Sequence, residues 1–293
     1  LDASFFFFIF NQLNASGQVP SMVIGEYYDA SPSVLQGWIR DVYNTGFNSS
    51  LPASTQPRVF DFTLRETLRN FTNNRLSAGD VRQIFTAGLV GGNYLSANNV
   101  VTFLNNHDFR NNYGASDGGA LIWYDPMLAY AYLLTNNQIG IPTVYYDDYY
   151  GYPAASSAHY HSYMPTTLTP MKCEIDALME VHKKYIFGSP SLTRLNASGS
   201  GYASNYSSAS ADKALIYQLQ GPSSTNKDII VAINFSDSYL KVDHAINTRG
   251  GSIATGARFT DMLRRSAFPY AQVNASGQIY IELPPRSCSV WVR

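Results

Sequence analysis

Apolar runs in this chain repeatedly end in a polar or acidic residue. Met22-Val-Ile-Gly-Glu26 and Val100-Val-Thr-Phe-Leu-Asn-Asn-His-Asp108 share this design, and Leu1-Asp-Ala3 places a carboxylate just before the most apolar stretch, Phe5-Phe-Phe-Phe-Ile-Phe10. Up to about residue 189, β-like runs alternate with segments of helical periodicity, the pattern of a parallel α/β sheet. Strands are predicted over 22–26, 59–63, 100–104 and 141–146, and helices over 5–13, 33–43, 64–71, 78–89 and 126–135. Thr169-Pro-Met-Lys opens a further helix on which Met171, Ile175, Leu178, Met179 and His182 share one face. His182 on that stripe reads as a core or boundary residue.

From Ser191 the pattern changes to short strands separated by turn residues: 214–220, 228–234, 239–244, 258–262, 278–283 and 287–292. Leu215, Tyr217 and Leu219, like Ile279, Ile281 and Leu283, alternate with period two, which suits two stacked sheets each burying one face. Two domains follow, 1–189 and an all-β region over 190–293.

With 293 residues, 45% of them hydrophobic, the chain can bury a large core. Only 14% are charged and the formal net charge is -1, so no electrostatic footprint for nucleic acid or an anionic membrane is present. The 5–10 run is far shorter than the roughly 20 residues needed to span a bilayer and reads as core. The 22 Tyr and 16 Phe offer rings for burial and for stacking on sugars, and Tyr27, Tyr28, Tyr145 and Tyr146 are read as candidates for either role. Two cysteines, Cys173 and Cys288, define no disulfide framework and are read as either paired or free. His159-Tyr-His161 lacks a third ligand at metal spacing and reads as a loop. Sequons at Asn14, Asn48, Asn70, Asn196, Asn205, Asn234 and Asn274 mark acceptors for N-linked glycans and favour a secreted protein.

Carboxylates at the ends of successive parallel strands converge on one face of a (β/α)₈ barrel, an arrangement suited to glycoside chemistry. In these motifs, their order and their spacing, the chain resembles the α-amylase family of retaining glycoside hydrolases over nearly its whole length. Leu1-Asp-Ala3 is similar to the end of the family's fourth strand, Ile24-Gly-Glu26 to its fifth, Val59-Phe-Asp-Phe62 to its sixth, Phe103-Leu-Asn-Asn-His-Asp108 to its seventh and Gly140-Ile-Pro-Thr-Val-Tyr-Tyr146 to its eighth. Ile230-Val-Ala-Ile-Asn-Phe-Ser236 and Leu283-Pro-Pro-Arg-Ser287 look like the C-terminal β-sandwich common in that family.

The resemblance implies a TIM-type barrel, strands four to eight present here, followed by an all-β sandwich. It also implies hydrolysis of α-glucosidic bonds in starch-like glucans, with Asp2 as nucleophile, Glu26 as a buried acid/base, Asp108 as the third carboxylate and His107 as a sugar-binding donor beside it. That reaction requires no cofactor; the family's calcium-binding excursion has no counterpart in these residues, so a calcium site is expected, if present, through the upstream part. Strands one to three have none either, so an upstream barrel half is expected on the same polypeptide or as a partner fragment. Ser4-Phe5-Phe6 stands where family members usually carry a basic residue and a histidine. A non-catalytic amylase-like scaffold is therefore the rival reading.

Overall fold

The computed structural model describes residues 3–46, 56–73, 79–108, 121–122, 124–151 and 170–293. The chain is mixed α/β, with one parallel sheet and two antiparallel ones. It divides into two compact units, the first comprising Leu1–Thr67, Thr86–Phe103 and Ile139–Thr143, the second Leu68–Phe85, Leu104–Gln138 and Val144–Arg293. No helix among the described residues is long and apolar enough to cross a membrane.

The first unit is built on α1 (Ala3–Ala15), β1 (Val23–Gly25), α2 (Pro32–Gly46), β2 (Pro57–Phe60), the start of α3 (Phe62–Asn73), α4 (Gly88–Gly91), β3 (Val100–Thr102) and β4 (Ile141–Pro142). The four strands form a parallel sheet in sequence order, β1-β2-β3-β4. Val59 lies opposite both Gly25 and Val100, and Val101 opposite Ile141. Leu35, Ile39 and Val42, at helical spacing on α2, are buried. The first two join Val59, Leu89 and Val100 in the core of this unit.

The apolar 5–10 run departs from its expected role as core. Consecutive apolar residues point all round a helix, and among the described residues one stripe of α1 finds a partner. Phe6 meets Trp38 edge to face at 5.8 Å and Phe10 is buried, whereas Phe5, Phe7 and Phe8 are 43%, 42% and 62% exposed.

Other differences have local causes. The strand predicted over 59–63 ends at Phe60 because the buried Asp61 carboxylate caps α3, accepting from the Leu64 and Leu89 backbone N–H groups, both at 2.9 Å. Burial pushes the Asp61 carboxyl up to about 6, and those two hydrogen bonds oppose the shift. The single helix predicted over 78–89 is instead a 3₁₀ segment, Val81–Thr86, followed by α4. The break falls at Gly88, whose φ of +76° and 2.6 Å clearance between a would-be Cβ and Asp61 Oδ2 admit only glycine. The strand predicted over 141–146 stops at Pro142, and a short helix, α6, takes over at Tyr146.

In the second unit, α5 (Pro126–Thr135), α6 (Tyr146–Tyr150) and α7 (Lys172–Val181), the last running into a π turn, His182–Ile186, accompany nine strands. These are β5 (Ser191–Arg194), β6 (Ser204–Ser208), β7 (Ala214–Gln220), β8 (Asp228–Asn234), β9 (Leu240–Ala245), β10 (Arg258–Asp261), β11 (Tyr270–Gln272), β12 (Gln278–Leu283) and β13 (Ser287–Val292). They form a six-stranded antiparallel sheet, β11-β10-β13-β8-β7-β5, and a three-stranded one, β12-β9-β6.

Side chains from both sheets share one core, including Ile216, Ile230, Phe259 and Trp291 from the larger and Val242, Ile279 and Ile281 from the smaller. The larger sheet buries more than the single face expected. Leu215, Tyr217 and Leu219 alternate with Ile216 and are buried as well, because α5 packs on β8 and β13 on that second face. Tyr217 sits edge to face with Phe85 and Tyr132, each at 6.0 Å, and hydrogen-bonds with the Thr135 hydroxyl. Asp228, fully buried, is held by Arg249 at 2.8 Å and Arg293 at 2.9 Å, which ties down the C-terminal strand.

Candidate active site

Glu26 directly follows β1, so the strand's direction sets where its side chain leaves the sheet. The Cη2 edge of the Trp38 ring abuts the preceding Gly25, where a Cβ would lie 2.1 Å from it, so glycine is required for α2 to close on β1. Glu26 is exposed, where the resemblance implies a buried acid. Tyr27 and Tyr28 beside it are 40% and 61% exposed. Their inner edges are held by Trp38 at 6.2 Å and Phe62 at 5.1 Å. Asp2 lies outside the described residues.

The polar cluster after β3 belongs to the second unit. Asn105 is buried and anchors it: its amide oxygen accepts from the Ile122 N–H at 2.9 Å, and its amide nitrogen donates to the Ile122 carbonyl at 3.1 Å and to the Asp148 carboxylate at 3.0 Å. Asn106 Oδ1 accepts from the Asp108 N–H at 3.0 Å, a local turn that leaves His107 and Asp108 side by side on the surface. His107 Nε2 is 3.5 Å from Asp108 Oδ1, with side chains 74% and 57% exposed. The structure thus brings these two predicted residues together.

Asp148 was not anticipated. Its carboxylate is buried without a cationic partner among the hydrogen bonds described, and the Tyr130 hydroxyl donates to it at 2.6 Å alongside Asn105. The Tyr145 N–H donates in turn to the Tyr130 hydroxyl at 3.2 Å. Burial pushes the Asp148 carboxyl up to about 6 against the pull of those hydrogen bonds, and the same burial holds Tyr130 well above the usual phenol range. The network therefore joins the segment after β3, the middle of α5 and the turn into α6, fixing the base from which the His107–Asp108 pair projects. The acidic pair within Tyr145-Tyr-Asp-Asp-Tyr-Tyr150 was the available signal in the sequence.

Among the other candidates, Tyr145 is half-buried and donates through its hydroxyl to Asp147 at 2.9 Å, whereas Tyr146 is 68% exposed and stacks on Tyr150 at 4.6 Å. His182 Nδ1 lies 2.7 Å from the Leu134 carbonyl, a boundary position. Cys173 and Cys288 are both free thiols. His159 and His161 lie outside the described residues, and among those described no three His, Cys, Asp or Glu side chains converge to hold a metal.

Two sequons are corrected. Asn196 and Asn234 are buried with their amides bonded to backbone, Asn196 to the Ala214 carbonyl at 2.6 Å and Asn234 to the Pro284 carbonyl at 2.8 Å, which leaves no room for a glycan on the folded chain. Asn14, Asn70, Asn205 and Asn274 are exposed, and Asn48 lies outside the described residues.

No family model matches the chain. Over 132 residues, 44% of the chain, it is 34% identical to a glucan 1,4-alpha-maltohexaosidase from Bacillus sp. (strain 707), covering 22% of that enzyme. Over 178 residues, 53% of the chain, it is 29% identical to an alpha-amylase from Geobacillus stearothermophilus, covering 28% of that enzyme. The chain thus carries partial similarity to bacterial enzymes of amylase type while spanning about a quarter of the length of each. Among solved structures, a putative alpha-galactosidase/melibiase from Bacteroides fragilis aligns with 95% of the chain and 55% of its own at a TM-score of 0.45 and 11% identity.

Proposed function

We propose that the chain is part of a secreted α-glycosidase of amylase type that hydrolyses α-glucosidic bonds in starch-like glucans with retention of configuration. The observation that carries this reading is the ordered set of strand-end carboxylates, Asp2, Glu26 and Asp108, in a chain similar over part of its length to two enzymes of that type. The short parallel sheet would be part of a (β/α)₈ barrel, and the two antiparallel sheets its C-terminal sandwich. Among the described residues, the exposed phenylalanines of α1 and the unpaired outer sides of β1 and β4 support closure by further strands, supplied by the same polypeptide or by a partner fragment.

In the chemistry proposed, Asp2 attacks the anomeric carbon while Glu26, protonated, gives its proton to the departing glycosidic oxygen. The resulting carboxylate of Glu26 then takes a proton from the water that releases the sugar. The two carboxyls must stand roughly 5 to 5.5 Å apart for this to proceed with retention. Asp108 and His107 hold sugar hydroxyls and stabilise the positive charge that develops on the ring. Tyr27, Tyr28 and Tyr146 present exposed rings for stacking. No cofactor is required, and no calcium-dependent step is assigned to these residues. Glycans at Asn14, Asn70, Asn205 and Asn274 accord with secretion.

A non-catalytic scaffold is the second reading, favoured by Ser4-Phe5-Phe6 after Asp2 and by the exposure of Glu26. Proton NMR of the first products released from maltoheptaose separates the two. Initial α-anomeric reducing ends support the retaining enzyme, and no turnover by the closed barrel supports the scaffold.

A further inference from the structure

The chain has two cysteines, far apart in sequence, and the fold sets both on the wall of one cavity of about 240 Å³ in the second unit. Cys173 stands in the first turn of α7 and is exposed. Cys288 is the second residue of β13 and is partly buried. Because strand side chains alternate, Cys288 points to the opposite face from Trp291, away from the core shared by the two sheets and toward the helices.

A second contact brings the same walls within reach of each other. Glu174, the neighbour of Cys173, places Oε1 3.5 Å from Nη2 of Arg265, and the Arg265 guanidinium acts electrostatically on the Cys288 thiol. One cation therefore serves both walls. A pair of cysteines placed at random among 293 residues would rarely fall together in so small a lining.

We propose that Cys173 and Cys288 are a redox pair that closes across this cavity as a disulfide, tying α7 to β13. Cys173, exposed at the start of a helix, is the attacking thiol, whereas burial pushes the Cys288 thiol up to about 12 and keeps it protonated until it reacts. With a small-molecule disulfide such as oxidised glutathione, the Cys173 thiolate attacks one sulfur, the glutathione S–S bond breaks, and one glutathione thiolate leaves. Cys288 then loses its proton to solvent and attacks Cys173 Sγ, and the second glutathione thiolate leaves. In sum, two protein thiols are oxidised to one disulfide and one glutathione disulfide is reduced to two thiols.

The test is to incubate the folded protein with oxidised glutathione, alkylate remaining thiols, and measure intact mass and a non-reducing tryptic map. The expected result is a monomer lighter by two hydrogens, with no alkyl or glutathionyl group, and with peptides 173–183 and 287–293 joined until dithiothreitol is added. Cys288→Ser should instead stop at one glutathionyl group on Cys173. Wild-type protein that keeps separate glutathionyl groups, stays fully alkylatable or links only between molecules would overturn the proposal. Matching circular dichroism of wild type and Cys288→Ser guards against a misfolded comparison, and Cys173→Ser serves if that variant fails to fold.

Discussion

The two sheet systems of this chain are built on opposite terms. In the second unit, β7 and β8 are seven residues each, pair along their whole length and are buried on both faces. In the first, β1 to β4 have two to four residues each, and among the described residues β1 and β4 are the edges of the parallel sheet. Antiparallel neighbours satisfy one another's backbone groups locally, so the C-terminal sheets complete their own core. Short parallel strands gain little from pairing and act chiefly to aim the residues that follow them, Glu26 after β1 and the Asn105–Asp108 cluster after β3. Burial is thus concentrated in the antiparallel region, Glu26 leaves a three-residue strand, and the His107–Asp108 pair rests on the buried Asn105–Asp148–Tyr130 network.

The largest effect is expected at Trp291, fully buried where the two antiparallel sheets meet. Trp291→Ala should cost roughly 3–5 kcal/mol in urea unfolding, and a loss below about 1 kcal/mol would contradict the assignment of stability to that core.

The next largest effect is a pH slope. The Asp148 carboxyl rises on folding from 3.8 to about 6, so the native state holds a proton that the unfolded state has released across that window. Its contribution is most favourable below about pH 4, declines as pH rises to about 6 and is constant above, a change on the order of 3 kcal/mol. Asp61 behaves alike, whereas Asp80, Asp176, Asp212 and Glu282, all held below their usual range, favour the native state above about pH 4 and lose that benefit in acid. Unfolding curves from pH 4 to 7 should show Asp148→Asn with a clearly flatter decline than wild type. An identical slope would mean that Asp148 is not buried as described.

Gly25→Ala should follow at about 1–3 kcal/mol, since the new methyl meets the Trp38 ring. The loss should appear as a change in tryptophan fluorescence with the antiparallel unit's transition unmoved. A single common transition shifting as a whole would show that the contrast between the units has no energetic counterpart. The smallest effect is expected at Phe8, 62% exposed on α1: in this chain without the strands proposed to close the barrel, Phe8→Ser should alter stability by less than about 0.5 kcal/mol while improving solubility.

How far the sequence could be read follows the same division. The helix over Pro126–Thr135 and the strands β7, β8, β12 and β13 are legible to the residue, because apolar side chains run or alternate through them between polar ends or turn residues. β6, Ser204–Ser208, carries one ring, Tyr206, which packs on the core but is too little to mark a strand, and its backbone pairs with β9 from Ser204↔His244 to Ser208↔Leu240. The break at Gly88 depended on a contact with Asp61 that spacing alone does not reveal. Within the candidate site, Glu26 and Asp108 stood out as acids at the ends of apolar runs. Asp148 did not, since its role comes from Tyr130 and Asn105, brought to it only by folding. The second buried face of β7 was hidden likewise, because alternation names one face and says nothing of a helix laid on the other.

In the proposed function Glu26 does acid/base work on a glycosidic bond, and the rate of maltoheptaose hydrolysis by the wild type and by Glu26→Gln tests it. The account predicts a loss of at least about a hundredfold in the variant, the lower end of what a positioned general acid contributes. Equal rates in the two proteins would contradict it.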